Sequence, residues 1–270
     1  IGDDYLFSVT QSVENRGAQP VSLFPFARVI RQDTPVVAGY WVFFEGMLGF
    51  LDDKLQEIDY SDVQGAKEPT RIDSQGGWLG FTDKYWAAAM VPDQTKPFTS
   101  SFQHQIQNGR DIYQTDYLAI IVQPGGTGLY QDQIFAGAKV VKTVEAIGAK
   151  YKIVSFEYII DWGYFWFLTI PMFYLLDFLN GIVGNFGIAI LIATVLVKLA
   201  VFPLANKSYA SMSKMKKLQP EMLKLKELYP DDKMKQQQGM MELYKKEKVS
   251  PISGCLPVVV QIPVFFSLYK

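Results

Sequence analysis

The chain has 270 residues, a formal net charge of −1 and 49% hydrophobic residues, values that taken whole suit one or two ordinary domains. A single cysteine, Cys255, excludes an internal disulfide, and a single histidine, His104, excludes a histidine cluster for zinc. The average conceals three unlike parts: residues 1–161 hold 13 Lys/Arg against 20 Asp/Glu, residues 206–248 hold 11 Lys against 6 Asp/Glu, and an apolar run lies between them.

The chain opens on IGDDYLFSV, in the middle of a strand-like pattern and without a start methionine or signal peptide, so export information is expected upstream. YLFSVTQSV, VSLFPFARVI, GYWVFF, YWAAAMV, FTSSFQHQI and DIYQTDYLAIIVQ are rich in aromatic and β-branched residues. Turn signals at Asn15-Arg16-Gly17, Gln75-Gly76-Gly77 and Asn108-Gly109 punctuate them. Many short strands with no intervening helix predict an all-β sandwich or barrel. Asp52 with Asp53 reads as a solvated loop and His104 as a strand residue. QPGGTG at 123–128 lacks the Lys-Ser/Thr of a phosphate-binding loop and reads as a turn between strands. Within residues 131–150 the texture becomes helical and predicts a linker from the sandwich to the membrane.

Residues 161–179, DWGYFWFLTIPMFYLLDFL, are apolar but interrupted by Pro171 and Asp177 and crowded with Trp162, Tyr164, Trp166 and Tyr174. Such rings favour the membrane interface, so a helix along the outer surface is expected in preference to a further span. The next run, residues 183–205, is about 23 residues long and carries one charge, Lys198. It is long enough to cross roughly 30 Å of hydrocarbon. Because Lys/Arg-rich loops stay inside, the basic segment is expected in the cytoplasm and the acidic domain outside. A charge at this depth marks a polar pathway by default. Thr194, four residues away, shares its face. The competing reading is snorkelling, since Lys198 lies about 10 Å along the helix from Ala205.

Residues 206–248 read as two helical stretches joined at Tyr229-Pro230-Asp231-Asp232, a hairpin in the cytoplasm. Met212, Met215, Leu218, Met222 and Leu225 recur at helical spacing on the first arm, and Met234, Met241 and Tyr244 on the second. These stripes either pack on each other or offer an adaptable apolar surface to clients. The lysines suit an anionic membrane surface better than nucleic acid, because acidic residues are interleaved with them. Residues 251–269 begin a second apolar run.

The stretch VLVKLAVFPLANKSYASMSKMKKLQPEMLKLKE, with DDKMKQQQGMMELYKKEKVSPISGCLPVVVQIPVFFSLYK after it, resembles the YidC family of membrane protein insertases. FPL, MxKMKxLQP, MMELYKxEKVxP, GCLP and QIPxF carry the resemblance, which covers roughly residues 161–270. The β-rich region is similar in position and character to the large periplasmic domain of Gram-negative members. The resemblance implies an all-β supersandwich over residues 1–160 with its linker helix, an interfacial amphipathic helix over 161–181 and a transmembrane helix over 182–205. It further implies a cytoplasmic helical hairpin over 206–249 and the start of the next transmembrane helix over 250–270, so that the chain is a fragment of a five-helix core.

Family members usually carry arginine where this sequence has Lys198, so the positive charge is kept and the bidentate donor geometry is not. The resemblance implies a hydrophilic groove containing Lys198 and Thr194. It implies that Cys255, Leu256, Pro257, Ile262, Pro263 and Phe265 contact substrate helices, against a plainer reading as helix packing. The function expected is insertion and folding of inner-membrane proteins, alone or with the Sec translocon, with ribosome or signal recognition particle machinery and membrane lipids as further partners. No motif calls for a nucleotide, a metal or nucleic acid, and no bond chemistry is expected. The alternatives are a membrane-anchored periplasmic sugar-binding protein and a scaffold of a translocation complex.

Overall fold

The computed structural model describes residues 5–36, 43–118, 126–229, 232–246 and 256–270. The chain divides into two compact units, Ile1–Asp161 and Trp162–Lys270.

The first unit is a β-sandwich of two antiparallel sheets. Its strands in chain order are β1 Leu6–Glu14, β2 Phe26–Gln32, β3 Gly46–Leu51, β4 Lys54–Ile58, β5 Thr70–Gln75, β6 Trp78–Thr82, β7 Trp86–Val91, β8 Pro97–Gln107, β9 Arg110–Leu118 and β10 Thr127–Ala138. Six form one sheet in the order β1-β10-β7-β6-β3-β4, and four form the other in the order β2-β9-β8-β5. Three turns rest on residues that tolerate positive φ: Asp52-Asp53 between β3 and β4, Asn108-Gly109 between β8 and β9, and Gly76-Gly77 between β5 and β6. The Asp52-Asp53 loop is thus a tight hairpin turn.

Strand parity divides the six-stranded sheet into two apolar faces. Met47, Leu51, Leu79, Phe81 and Met90 point into the layer between the sheets, where they meet Phe98, Phe102, Tyr113 and Tyr117. The alternate positions, Leu48, Trp78, Ala89, Val91 and Phe135, form a second core with Val144, Ile147 and Phe156. That second core is roofed by the helix α2, Val141–Tyr151, and a 3-10 turn at Phe156–Ile159. Burial on both faces explains why β6 is buried along its whole length and gives no period-2 signal.

Several sequence expectations change here. A short helix, α1 at Tyr60–Gly65, intervenes among the strands and buries Tyr60 and Val63. The helical texture begins only at Val141, because residues up to Ala138 are the end of β10. GYWVFF falls largely on residues outside those described, and its last residues, Phe43 and Phe44, precede β3. His104 lies on β8 as expected, with Nε2 2.8 Å from Asp111 Oδ1.

The second unit is helical: α3 Trp166–Val183, α4 Phe186–Leu228, α5 Lys233–Lys246 and α6 Leu256–Tyr269. Both α3 and α4 are long and apolar enough to cross a membrane by length and composition. The helix boundaries differ from expectation at both ends of the charged run. Ile182 and Val183 close α3, because Gly184 takes a left-handed conformation at φ 67° and Asn185 caps α4 by accepting from the Ile188 N–H. At the other end α4 does not stop at Ala205 but runs through Pro203 and Pro220 to Leu228, so the lysine-bearing run and the first arm of the hairpin are one helix.

Candidate functional site

The helix α3 packs against α4 and α6. Among the buried positions are Thr169 and Met172 on α3, Ala189 and Ala193 in the apolar part of α4, and Val264 and Ser267 on α6, with Ser208 and Leu218 buried further along α4. Two alanines four apart remove side-chain bulk from one side of α4, which lets a neighbouring helix approach closely. The hydroxyls on these helices turn back onto their own backbone. Thr169 donates to the Phe165 carbonyl at 3.0 Å, Thr194 to Ile190 at 2.8 Å and Ser267 to Pro263 at 2.8 Å. Each is thereby satisfied without water.

Lys198 lies on the far side of α4 from Ala189 and Ala193 and is exposed. Thr194 sits one turn earlier on the same face and is half-buried. Their surroundings are apolar: Leu191, Val195, Leu199 and Phe202 are all exposed near them. The lysine is about 18 Å along the helix from Phe186, at 1.5 Å per residue. The face bearing Lys198 is therefore the one α4 does not use for packing on its described neighbours.

The remaining expected site residues fall in three groups. Ile262 and Phe265 share an exposed side of α6, while Pro263 is half-buried and accepts the Ser267 hydrogen bond. Leu256 and Pro257 open α6, their side chains lying outside the described set, as does all of Cys255. On the hairpin, Met215 and Met222 belong with Leu218 and Leu225 to a seam of three- and four-residue spacing on α4 that is half-buried or buried. The Tyr244 hydroxyl of α5 approaches Met222 Sδ at 3.6 Å. Met212, Met234 and Met241 are exposed and stand off that seam. The methionine stripe thus splits into a packed and an unpacked set, a distinction that spacing on one helix does not make.

Asp232 caps α5 by accepting from the Lys235 N–H at 3.0 Å. Sequence reading passed over Ala189 and Ala193, although their four-residue separation is the signal that would have found the packed face.

The family model described as YidC periplasmic domain matches residues 1–175, and the one described as 60Kd inner membrane protein matches residues 178–270. The chain belongs to the YidC family. A membrane protein insertase YidC of Beijerinckia indica is 51% identical over 274 residues, covering 100% of this chain and 45% of that protein. The YidC insertases of Brucella melitensis and Nitrobacter hamburgensis are each 50% identical, again across 100% of this chain and 45% and 46% of theirs. The chain spans about half the length of the curated relatives it matches. Both units thus fall in the YidC family, the sandwich and the first part of α3 under one description and the end of α3 with α4 to α6 under the other.

Proposed function

We propose that this chain is part of a membrane protein insertase that helps inner-membrane proteins enter and fold in the bilayer without bond chemistry. The observation that carries this reading is Lys198, a cation on the unpacked face of an apolar helix whose opposite face is closed by alanines. In a span of roughly 30 Å, a lysine about 18 Å from Phe186 falls in the cytoplasmic half. The acidic sandwich then lies in the periplasm and the basic hairpin in the cytoplasm, in accord with the charge asymmetry of the sequence.

Lys198 and Thr194 line a hydrophilic groove in this reading. A polar segment of a nascent membrane protein pauses there, so that its desolvation cost is met in part by water and a fixed charge. Its apolar residues then move into lipid and gain about 25 cal/mol per Å² of buried apolar surface. The exposed apolar side of α6, with Ile262 and Phe265, offers such a segment a surface; Leu256, Pro257 and Pro263 belong to the same helix, and Cys255 precedes it in sequence. The exposed Met212, Met234 and Met241 supply an adaptable surface on the hairpin for clients or for Sec, ribosomal or targeting partners. The helix α3 lies at the outer interface, with Trp166, Phe167 and Tyr174 exposed along it.

Reconstitution of the full-length protein in liposomes with a small client tests the electrostatic part. Lys198→Glu is expected to slow insertion of clients with acidic outer tails by about tenfold, a barrier change of about 1.4 kcal/mol, while Lys198→Arg stays near the starting rate. Equal rates for all three refute a role for the charge.

A further inference from the structure

The end of the sandwich from which the chain leaves for α3 carries two exposed aromatic residues and an exposed valine. Tyr85 is 66% exposed, Trp86 59% and Val140 48%. They are held together by backbone pairing: Trp86 is opposite Ala138 in the register of β7 with β10, and the Lys139 N–H donates to the Tyr85 carbonyl at 2.9 Å. Lys84 places its ammonium 5.1 Å from the Tyr85 ring centroid and 4.6 Å from that of Phe43. Next to Phe43, the Phe44 N–H donates to Asp161 Oδ2 at 2.9 Å. Asp161 closes the first unit, so this tip and the chain's exit are one locality.

We infer that the Tyr85-Trp86 tip docks on the lipid surface of the outer leaflet. Only four residues separate Asp161 from Trp166, the first of α3, so the five steps between them reach about 17 Å even when extended. Since α3 is an apolar helix, Asp161 is tethered within that distance of the start of α3 whether the helix lies flat or crosses, and Phe43 and Phe44 connect the tip to Asp161. Aromatic rings with a polar atom partition to that interface, and neighbouring lysine assists on anionic lipid. The turn's own carboxylate, Asp83, is held 2.5 Å from Arg31 and so does not repel the surface as a free charge. Buried aromatic packing does not account for these side chains, because the cores on both faces of the sheet are complete without them.

The inference rests on the membrane reading of the helices, and the test separates the two. In a background from which the native cysteines, Cys255 among them, have been replaced by serine, the full-length protein is labelled with an environment-sensitive fluorophore at Tyr85→Cys, Leu199→Cys or Lys54→Cys, in vesicles of phosphatidylethanolamine and phosphatidylglycerol containing nitroxide lipids. Position 54 follows the Asp52-Asp53 turn, at the end of β3 away from the tip. The label at 85 is expected to lose most of its fluorescence to shallow nitroxides, the label at 199 to deep ones and the label at 54 to neither. Quenching at 199 with none at 85 overturns the docking, and absence at 199 overturns the membrane reading along with it. A label at Val140→Cys is expected to be quenched by shallow nitroxides and to lose that quenching in the Tyr85→Ser/Trp86→Ser double variant with near-ultraviolet dichroism unchanged. Undiminished quenching there removes the aromatic pair as the cause.

Discussion

Asp132 is a carboxylate turned into the layer between the sheets, on the same side of β10 as Tyr130. Gln11 donates to its Oδ2 at 3.4 Å, but Oδ1 has no hydrogen-bond partner, and neither do the buried hydroxyls of Tyr117 and Tyr130. Burial raises the Asp132 pKa above the usual carboxylate range, only partly opposed by the Tyr117 and Gln11 groups beside it. The same burial, with Asp132 close by, pushes Tyr130 up to about 12. A raised carboxylate keeps its proton in the folded state at a pH where the unfolded chain has lost it. Its effect on stability is therefore most favourable in acid and is lost as pH rises through the folded pKa. Asp132→Asn is expected to stabilise the sandwich by about 1–2 kcal/mol at neutral pH and to be near neutral in acid. Urea unfolding followed at several pH values measures this, and a gain that does not grow with pH contradicts it. No alternation pattern announces Asp132 as buried, because an aspartate in a strand is usually at the solvent face.

The hairpin of α4 and α5 shows what is decided at the level of elements. The break between its arms, from Leu228 to Lys233, was legible from Pro230 and the two aspartates, of which Pro230 and Asp231 lie outside the described residues, and its seam from the spacing of Met215, Leu218, Met222 and Leu225. The contact that sets how closely the arms approach is Gly239: a Cβ built there would lie 3.0 Å from Leu225 Cδ2. Gly239→Ala exchanges a tight contact for a gain of up to about 1 kcal/mol in helix propensity and is expected to be close to neutral. Gly239→Leu overfills the seam and is expected to cost about 1–3 kcal/mol. Spin labels at Glu227→Cys and Gln237→Cys, with Cys255→Ser, report the result as a longer and broader distance distribution for the leucine variant alone. An unchanged distribution means that the arms do not meet at Gly239. Periodicity could not reveal this, because a glycine in a helix reads as a weak position until its neighbour is known.

For the whole molecule, the first unit depends on a sheet that is central to two cores. Trp78 is fully buried in the second core, packs edge-on against Phe156 with ring centroids 5.8 Å apart, and donates from Nε1 to the Ser155 carbonyl at 3.2 Å. It ties the six-stranded sheet to the segment that ends at Asp161. Trp78→Ala is expected to cost about 3–5 kcal/mol, read as a lowered urea midpoint of the sandwich transition, whereas a loss below about 1 kcal/mol would show that the roof is dispensable.

Charge, hydropathy and turn chemistry are properties of adjacent residues. The sequence by itself therefore determined the acidic β-rich part, the apolar run with Lys198, the basic hairpin and the family motifs. Which residues are left uncovered is a different kind of property. That Lys198 faces away from the alanine-packed side of α4, that Tyr85 and Trp86 stand out where β7 begins, and that Met215 packs while Met234 does not were decided by the tertiary structure alone. Burial is set by partners distant in the chain, and a residue's own neighbours in sequence carry no record of them.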